Sequence, residues 1–449
     1  MGIHRLIIVL IVFLISTILF KRAAGSLKLK ELNMINALYY YILFFNLIGG
    51  SLIYMGVRKH YLVQMIQDVD SINYAYYALA YCVIVFPATL LLMKKICNWL
   101  FPQKKDDGVY NKAVLYTDNM RQIQFFALSL VAICTFATLY VLKNLGYIPL
   151  LEMIRGGNLN ALRQSGNRFF SGNQYIKNLL MTSLTPFISY LTYIYFRITK
   201  SRTWGCLFAC MLLLSIVALT YDFSKSPIIT YLIGLYLIEV ALGNVKNNKW
   251  IIRIIGLSGC IILFFYVIVS KIGGSLFSIY SGPIGRILFT QIATLFLHFE
   301  AFPLKYGFLN GASFNHWMSF LFPAAEGLRS GRVVMSIYNA SGVAAKTAGV
   351  MNTIFIGEAY ANFGWTGVIL APIVFGVVIG FAAFFIPKLR KTPVVILYYV
   401  QLTLTFLTIV EGGFVDIFYN ASTIFLTMVA IVLYFATKKG NMRLSQPRV

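Results

Sequence analysis

Long apolar runs separated by short polar or basic segments recur along almost the whole chain. A helix needs roughly 20 apolar residues to cross a hydrocarbon core of about 30 Å, and eleven runs approach that length. They are residues 2–20, 37–57, 73–93, 122–142, 178–196, 205–221, 227–243, 254–270, 365–386, 394–410 and 421–436. This pattern predicts an all-α polytopic membrane protein with about 11 transmembrane helices, in which residues 1–449 form a single integral membrane domain.

Two connections between these runs are long. We expect a basic loop at residues 143–177 and a large loop at 271–364, which is too apolar for a disordered linker and should pack on the membrane domain. Within the large loop, GRILFTQIATLFLHFE (285–300) could be an interfacial helix, a partial re-entry or a twelfth span. The first run has no small-residue cleavage site before its basic flank, so we interpret it as a retained span.

Composition and charge agree with a membrane protein and orient it. The 449 residues are 59% hydrophobic and 12% charged, and 38 Lys and Arg against 14 Asp and Glu give a net charge of +24. In a soluble protein this excess would favour a nucleic-acid partner, which we do not expect here. Short connections on one side hold 23 of the basic residues, and the positive-inside rule assigns that side to the cytoplasm. Both long loops are then predicted on the outer face.

The acidic residues indicate where chemistry can occur. Nine of the fourteen fall on the predicted outer side or at its boundary, and charge within the predicted spans is nearly absent. Ion-coupled transporters usually need intramembrane charged relays, so this distribution argues against one. The six cysteines lie in or beside spans, which disfavours a disulfide framework. No metal-ligand spacing or nucleotide-binding fingerprint occurs, and we expect no metal and no other cofactor.

The first long loop has the composition of an anion-binding segment. In LLEMIRGGNLNALRQSGNRFFSGNQYIK (150–177), Arg155, Arg163, Arg168 and Lys177 are separated by glycines and asparagines. Guanidinium groups and the N–H groups of a Gly-rich backbone suit a phosphate or diphosphate. The alternatives are solvated arginines, or arginines that touch anionic lipid headgroups.

The large loop adds a mixture of aromatic, basic and acidic side chains. These residues are Arg286, His298, Glu300, His316, Trp317, Glu326, Arg329 and Arg332. Such a mixture offers flat faces for sugar rings, guanidinium for a diphosphate and a base for a hydroxyl. A histidine at an aqueous interface is more often structural than catalytic, which is the alternative for both histidines.

The stretch IGEAYANFGWTG (356–367) carries a lone acid just before an apolar run. At 100° per residue, its small residues share one helix face, which permits close packing. Glu358, Asn362 and Trp365 share the adjacent face. An unpaired buried carboxylate would cost several kcal/mol. We therefore expect Glu358 either to face a substrate cavity as a base or to be held by an arginine of an outer loop.

These residues resemble those of a known family, the Wzy-type O-antigen and oligosaccharide repeat-unit polymerases. The resemblance rests on IGEAYANFGWTG before a span, the Arg/Gly loop after GYIPLL, the SKSP turn (224–227) and LFPAAEGLRSGR (321–332) in the large loop. It implies a GT-C-like glycan polymerase or ligase architecture in the bacterial plasma (inner) membrane, with a periplasmic or extracellular active face. The product would be O-antigen, capsule or exopolysaccharide.

The resemblance also implies substrates and partners. Undecaprenyl-diphosphate-linked oligosaccharides would be joined without nucleotide sugar, alongside a chain-length regulator (polysaccharide co-polymerase) and a flippase of the same pathway. The alternatives are an O-antigen ligase-like glycosyltransferase and a lipid-linked oligosaccharide or polysaccharide transporter. A transporter is disfavoured because it should carry cationic residues along a cavity within the spans.

Together with the chemistry above, the resemblance assigns roles to individual residues. The expected diphosphate ligands are Arg155, Arg163, Arg168, Arg286, Arg329 and Arg332. The expected base is Glu358 or His316, with Glu300, Glu326 and Glu411 in reserve. Tyr360, Asn362 and Trp317 are expected to contact the glycan.

Overall fold

The computed structural model describes residues 2–102, 119–155, 162–163, 166, 170–245, 247, 249–264 and 278–437. All secondary structure in these ranges is helical. The main helices are α1 (Gly2–Ala24), α2 (Met34–Tyr54), α3 (Val69–Leu100), α4 (Met120–Leu145), α5 (Ile176–Thr199), α6 (Arg202–Thr220), α7 (Ser226–Ala241), α8 (Lys249–Phe264), α9 (282–301), α10 (Ser330–Tyr338), α11 (Phe355–Phe385), α12 (Pro393–Gly412) and α13 (Ala421–Thr437). Shorter helical segments are Leu29–Glu31, Tyr61–Gln64, Pro149–Arg155, His316–Met318, Ala340–Ala344, Ile386–Lys388 and Phe414–Ile417.

Each of the eleven apolar runs coincides with a helix. Within the described residues, nine helical segments are long and apolar enough to cross a membrane, whereas α7 and α8 are shorter apolar helices. The described part of α8 ends at Phe264, so the end of the predicted span 254–270 lies outside the described residues. The chain therefore has the architecture of a helical multi-pass membrane protein, as its hydrophobic pattern predicts.

Most of the described candidate residues lie at one end of the helices, which we call the loop-rich end. It comprises the connections after α2, α4, α6, α9 and α12. Contacts between these connections fix the arrangement: backbone N–H groups of Gln67 and Asp68 bond Glu300, and Arg329 bonds Asp416. Parts of both predicted outer loops lie at the turn after α6, where Arg163 acts on Tyr221 and Arg286 acts on Lys225. Much of the second loop is folded.

The apolar segment of the large loop forms α9, which is buried inside the protein. Residues 292–301 of this helix are all buried, in contact with α2, α3, α10 and α11. The helix is not among the nine candidate spans of the described chain. Burial among other helices explains why it is apolar on every side.

Glycines let two pairs of helices cross closely. A Cβ added at Gly376 or Gly380 of α11 would lie 2.5 Å from Thr89 Cβ or 2.7 Å from Met93 Cβ of α3. Two small residues four positions apart favour tight helix contact in membranes, where packing rather than the hydrophobic effect drives association. At Gly49 of α2, a Cβ would overlap the carbonyl oxygen of Leu288 in α9.

Helix α11 begins ten residues earlier than the predicted span and is interrupted at Gly364. Gly364 has φ 58° and ψ −141°, a conformation that L side chains rarely adopt. The interruption overturns the predicted common face, because Glu358 and Asn362 are buried whereas Trp365, after the break, is 46% exposed. Trp365 instead packs edge-on against Tyr360.

Candidate functional site

An arginine and two carboxylates from three segments meet at the loop-rich end. Arg329 Nε lies 2.7 Å from Glu358 Oε1, its Nη1 lies 2.7 Å from Asp416 Oδ1, and its Nη2 donates to the Gly412 carbonyl at 2.8 Å. The second oxygen of Glu358 accepts the Val415 N–H at 3.1 Å. We call Arg329, Glu358, Gly412 and Asp416 the Arg329 cluster; it ties the starts of α10 and α11 to the end of α12.

The Arg329 cluster corrects two predicted roles. Glu358 is 2% exposed and uses both oxygens on structural partners, so it is the partner of an arginine and not a free base. Arg329 directs all three of its guanidinium nitrogens to acceptors of the protein, so it is not available to a diphosphate. Burial alone would lower the pKa of Arg329, but Glu358 and Asp416 outweigh it and raise that pKa.

A cavity with polar and apolar walls adjoins the Arg329 cluster. It measures about 400 Å³ and lies between α2, α9, α10 and α12. Its polar lining consists of Tyr41, Tyr61, Thr290, Gln291, Thr294, Asn352, Thr408 and Glu411. Gly412 belongs both to the cavity wall and to the Arg329 cluster, so the cluster holds the helix end from which Glu411 projects. We call this space the Glu411 cavity.

Glu411 is the acidic residue of this lining. Glu411 is 6% exposed. Its Oε1 accepts a hydrogen bond from the Asn46 amide at 2.5 Å. Gln291 interacts with the same carboxylate, yet Oε2 has no partner in hydrogen-bond geometry among the described residues. Buried carboxylate oxygens normally have such partners, so Glu411 retains capacity to accept a hydrogen bond.

Two π-helical turns bring polar residues to this cavity. Residues Leu43–Leu47 of α2 and Arg286–Thr290 of α9 adopt this geometry, which often occurs as single turns at functional sites. The first turn contains Asn46, and the second ends with Thr290. Gly49 allows the two turns to approach. Thr290 lines the cavity, and Asn46 bonds Glu411 without being part of the lining.

A second group of charges surrounds the turn between α6 and α7. Lys177 donates to the Gly166 carbonyl at 3.1 Å and lies 5.6 Å from the Tyr221 ring centroid. Burial and Asp222 raise the pKa of Tyr221, whereas the charge of Arg163 lowers it. Burial and the nearby charge of Arg286 lower the pKa of Lys225 to about 8. We call Arg163, Lys177, Lys225 and Arg286 the cationic turn; it combines residues of both long loops.

The cationic turn and the Glu411 cavity share one helix. Arg286 opens the π-helical turn of α9, and Thr290 and Gln291, which follow it, line the cavity. At about 1.5 Å of rise per residue, four residues span roughly 6 Å along the axis. Arg286 and the cavity-lining Thr290 are therefore close to each other along the same helix.

The other predicted residues have different surroundings. Glu300 is 1% exposed and accepts bonds from two backbone N–H groups, Lys305 and Tyr338, so it is a structural carboxylate. Arg155 lies 3.4 Å from Glu152 with its side chain 71% exposed. Arg163, Arg286, Arg332 and Glu326 are exposed, whereas Arg168 lies outside the described residues.

His316 and the predicted glycan contacts also divide into exposed and buried residues. His316 is exposed, with Nδ1 2.9 Å from the Ala325 carbonyl, and Trp317 is 53% exposed. Asn362 is fully buried and bonds Ser313. Tyr360 is 6% exposed and stacks on a ring of α9 at 3.9 Å. Both side chains are part of the packed interior, which corrects their predicted role as glycan contacts.

Sequence reasoning missed the residues that surround Glu411. Asn46 and Gln291 stand within apolar segments, and a polar amide in such a segment signals a buried partner. This signal could have identified Asn46. Nothing in the sequence pairs it with a residue 365 positions away.

Comparison with known proteins adds no further assignment. No protein-family model, curated protein or solved structure matches the chain. Within the described residues, no three His, Cys, Asp or Glu side chains come together as a metal site.

Proposed function

We propose that this protein is a membrane glycosyltransferase that polymerises oligosaccharide repeat units carried on undecaprenyl diphosphate, at the outer face of a bacterial plasma membrane. The observation that carries the proposal is the position of the cationic turn beside the Glu411 cavity. A diphosphate needs several cationic donors, and a sugar needs a polar pocket with few fixed charges. The helix α9 connects both within one site.

The geometry supports transfer from a lipid diphosphate in particular. Lys225 and Arg286 come from different segments, and burial, together with repulsion from Arg286, lowers the pKa of Lys225. A bound diphosphate would relieve that repulsion and would stabilise the charge that leaves with it during transfer. The chain-length regulator and the flippase implied by the family resemblance remain proposed partners.

A reconstitution experiment tests this function. Cells that lack the protein should accumulate single lipid-linked repeat units, and the purified protein in vesicles should convert the extracted units into a ladder of longer glycans. A ligase would instead leave finished polymer on the carrier in such cells, and a transporter would form no new glycosidic bond in vesicles.

Matched variants locate the diphosphate site. Each of Lys225→Gln and Arg286→Gln should reduce polymer formation by about ten-fold or more, since a hydrogen bond to a charged group contributes about 1.5–3 kcal/mol. Lys143→Gln removes an exposed charge from the end of α4 and should retain full activity. Equal activity of all three variants would contradict the assignment of the cationic turn.

A further inference from the structure

The Glu411 cavity has the size and the chemistry of a subsite for one sugar unit. Its volume of about 400 Å³ lies in the lower part of the usual range for ligand pockets, roughly 300–1,000 Å³. Hydroxyl, phenol and amide groups form its polar lining. Apolar side chains, among them Leu62, Met335 and Met351, complete the lining, a combination that is usual for ligand pockets.

The charge of the lining further limits the class of ligand that the cavity can bind. Glu411 is the charged residue of the lining, and its Oε2 lacks a hydrogen-bond partner among the described residues. A phosphate would be repelled by this carboxylate, whereas a hydroxyl group can donate to it. The cavity therefore favours a neutral, hydroxyl-bearing ring and leaves the diphosphate to the cationic turn.

From these observations we propose that the Glu411 cavity binds the sugar of the acceptor repeat unit and that Glu411 is the catalytic residue that receives its hydroxyl proton. This inference rests on the proposed polymerase function. The acceptor oxygen forms a bond to the anomeric carbon of the donor glycan, and the bond from that carbon to the diphosphate oxygen breaks. The diphosphate leaves with the electron pair, the proton passes to Glu411 Oε2, and water later removes it.

The Arg329 cluster explains how this carboxylate is held. Arg329 bonds the carbonyl of Gly412, the residue that follows Glu411, and Asn46 fixes the other oxygen of Glu411. One oxygen is thereby anchored, while the second is buried beside the cavity without a partner in hydrogen-bond geometry among the described residues. A general base positioned in this way typically contributes 10²–10⁴-fold to the rate.

The test uses the full-length protein in vesicles with lipid-linked repeat units extracted from cells that lack it. Glu411→Gln should polymerise at least 100-fold more slowly, while inorganic pyrophosphate should still raise its melting temperature as it does for the wild type. Glu411→Asp should regain part of the rate. Asp70→Asn, which changes an exposed carboxylate of the same end that has no assigned role in the site, should polymerise normally.

A second variant covers the case in which Glu411→Gln fails to fold. Asn352→Phe fills the cavity from its wall without touching the carboxylate, and it should raise the KM for the repeat unit more than it lowers kcat. The wild-type rate should also fall on acidification, whereas any residual rate of Glu411→Gln should not depend on pH in this way.

Different results would overturn the acceptor subsite and the polymerase function. Normal polymerisation by folded Glu411→Gln or Asn352→Phe would overturn the acceptor subsite and leave the polymerase function intact. Absence of polymer with the wild-type protein, under conditions in which it binds pyrophosphate, would overturn the polymerase function itself.

Discussion

Glu358 and Glu411 are two buried carboxylates on neighbouring helices, and their surroundings differ in one respect. Both oxygens of Glu358 face donors, from Arg329 and from the Val415 N–H. Glu411 has an amide on one oxygen and a cavity beside it. Since a matched buried charge is a structural element and an incompletely matched one can accept a ligand, burial alone does not distinguish the two roles.

The cations of the loop-rich end differ in the same respect as these two carboxylates. Arg329 is saturated by acceptors of the protein, whereas Arg286 lies beside another cation, Lys225. An anion would find no free donor on the first and a favourable position near the second.

The largest effect is expected from breaking the Arg329 cluster. Arg329→Ala leaves Glu358 buried without its cation, which should destabilise the protein by about 3–5 kcal/mol. Thermal unfolding in detergent should show a lower melting temperature. Arg332→Ala, which removes an exposed arginine of the same helix, should change it little. Similar melting temperatures for both variants would remove the distinction between Glu358 and Glu411.

A smaller loss of stability should follow from a methyl group at Gly413. This residue has φ +133°, and an added Cβ would clash with Glu358 Oε2 and lie 2.6 Å from Arg329 Nη2. Gly413→Ala should cost roughly 1–3 kcal/mol, the range for backbone strain. Gly349→Ala places the same methyl group where nothing lies within 4 Å and serves as the control in unfolding measurements.

Binding of pyrophosphate should depend on pH through Lys225. The pKa of Lys225 is lowered to about 8, below the ordinary value of about 10.4, so the residue loses its positive charge between pH 7 and 9. Affinity should fall by about ten-fold over this range, although pyrophosphate itself becomes more anionic. Lys225→Arg keeps its charge and should abolish the fall, as titration calorimetry can measure; an unchanged pH dependence would contradict the role of Lys225.

The smallest effect on stability is expected at Arg155. Its contact with Glu152 at 3.4 Å is exposed, and such i,i+3 pairs contribute about 0.2–0.5 kcal/mol. Arg155→Ala should therefore leave the melting temperature nearly unchanged. A loss of polymer formation in this stable variant would support the predicted diphosphate role of Arg155, and normal activity would remove it.

The fold was predictable from the sequence because each membrane-crossing helix leaves a long apolar run. The hydrophobic pattern did not identify the type of helix where apolar residues face protein instead of lipid. Residues 285–300 read equally well as an interfacial helix, a re-entrant segment or a span, and the structure buries most of them in α9. The break at Gly364 also escaped the pattern, because a glycine in an apolar helix predicts close packing as readily as an interruption.

The site was predictable as a set of residue types and not as an arrangement. The residue types predict an arginine of an outer loop as one possible partner of Glu358, but nothing in the sequence singles out Arg329 or separates Glu358 from Glu411. Pairing depends on contacts across 29 and 365 positions, which a single sequence does not encode visibly. Lys225 became a candidate for diphosphate binding because Arg286 lies near it in the structure.

The burial of α9 has a consequence for the order of synthesis. This helix is enclosed on one side by α2 and α3, which emerge early from the ribosome, and on the other by α11, which emerges late. Until α11 and α12 are made, α9 has an uncovered apolar surface and the Glu411 cavity lacks a wall. Truncation before α11 should thus yield a chain that the membrane quality-control proteases recognise, and the site can form only as one of the last events of biogenesis.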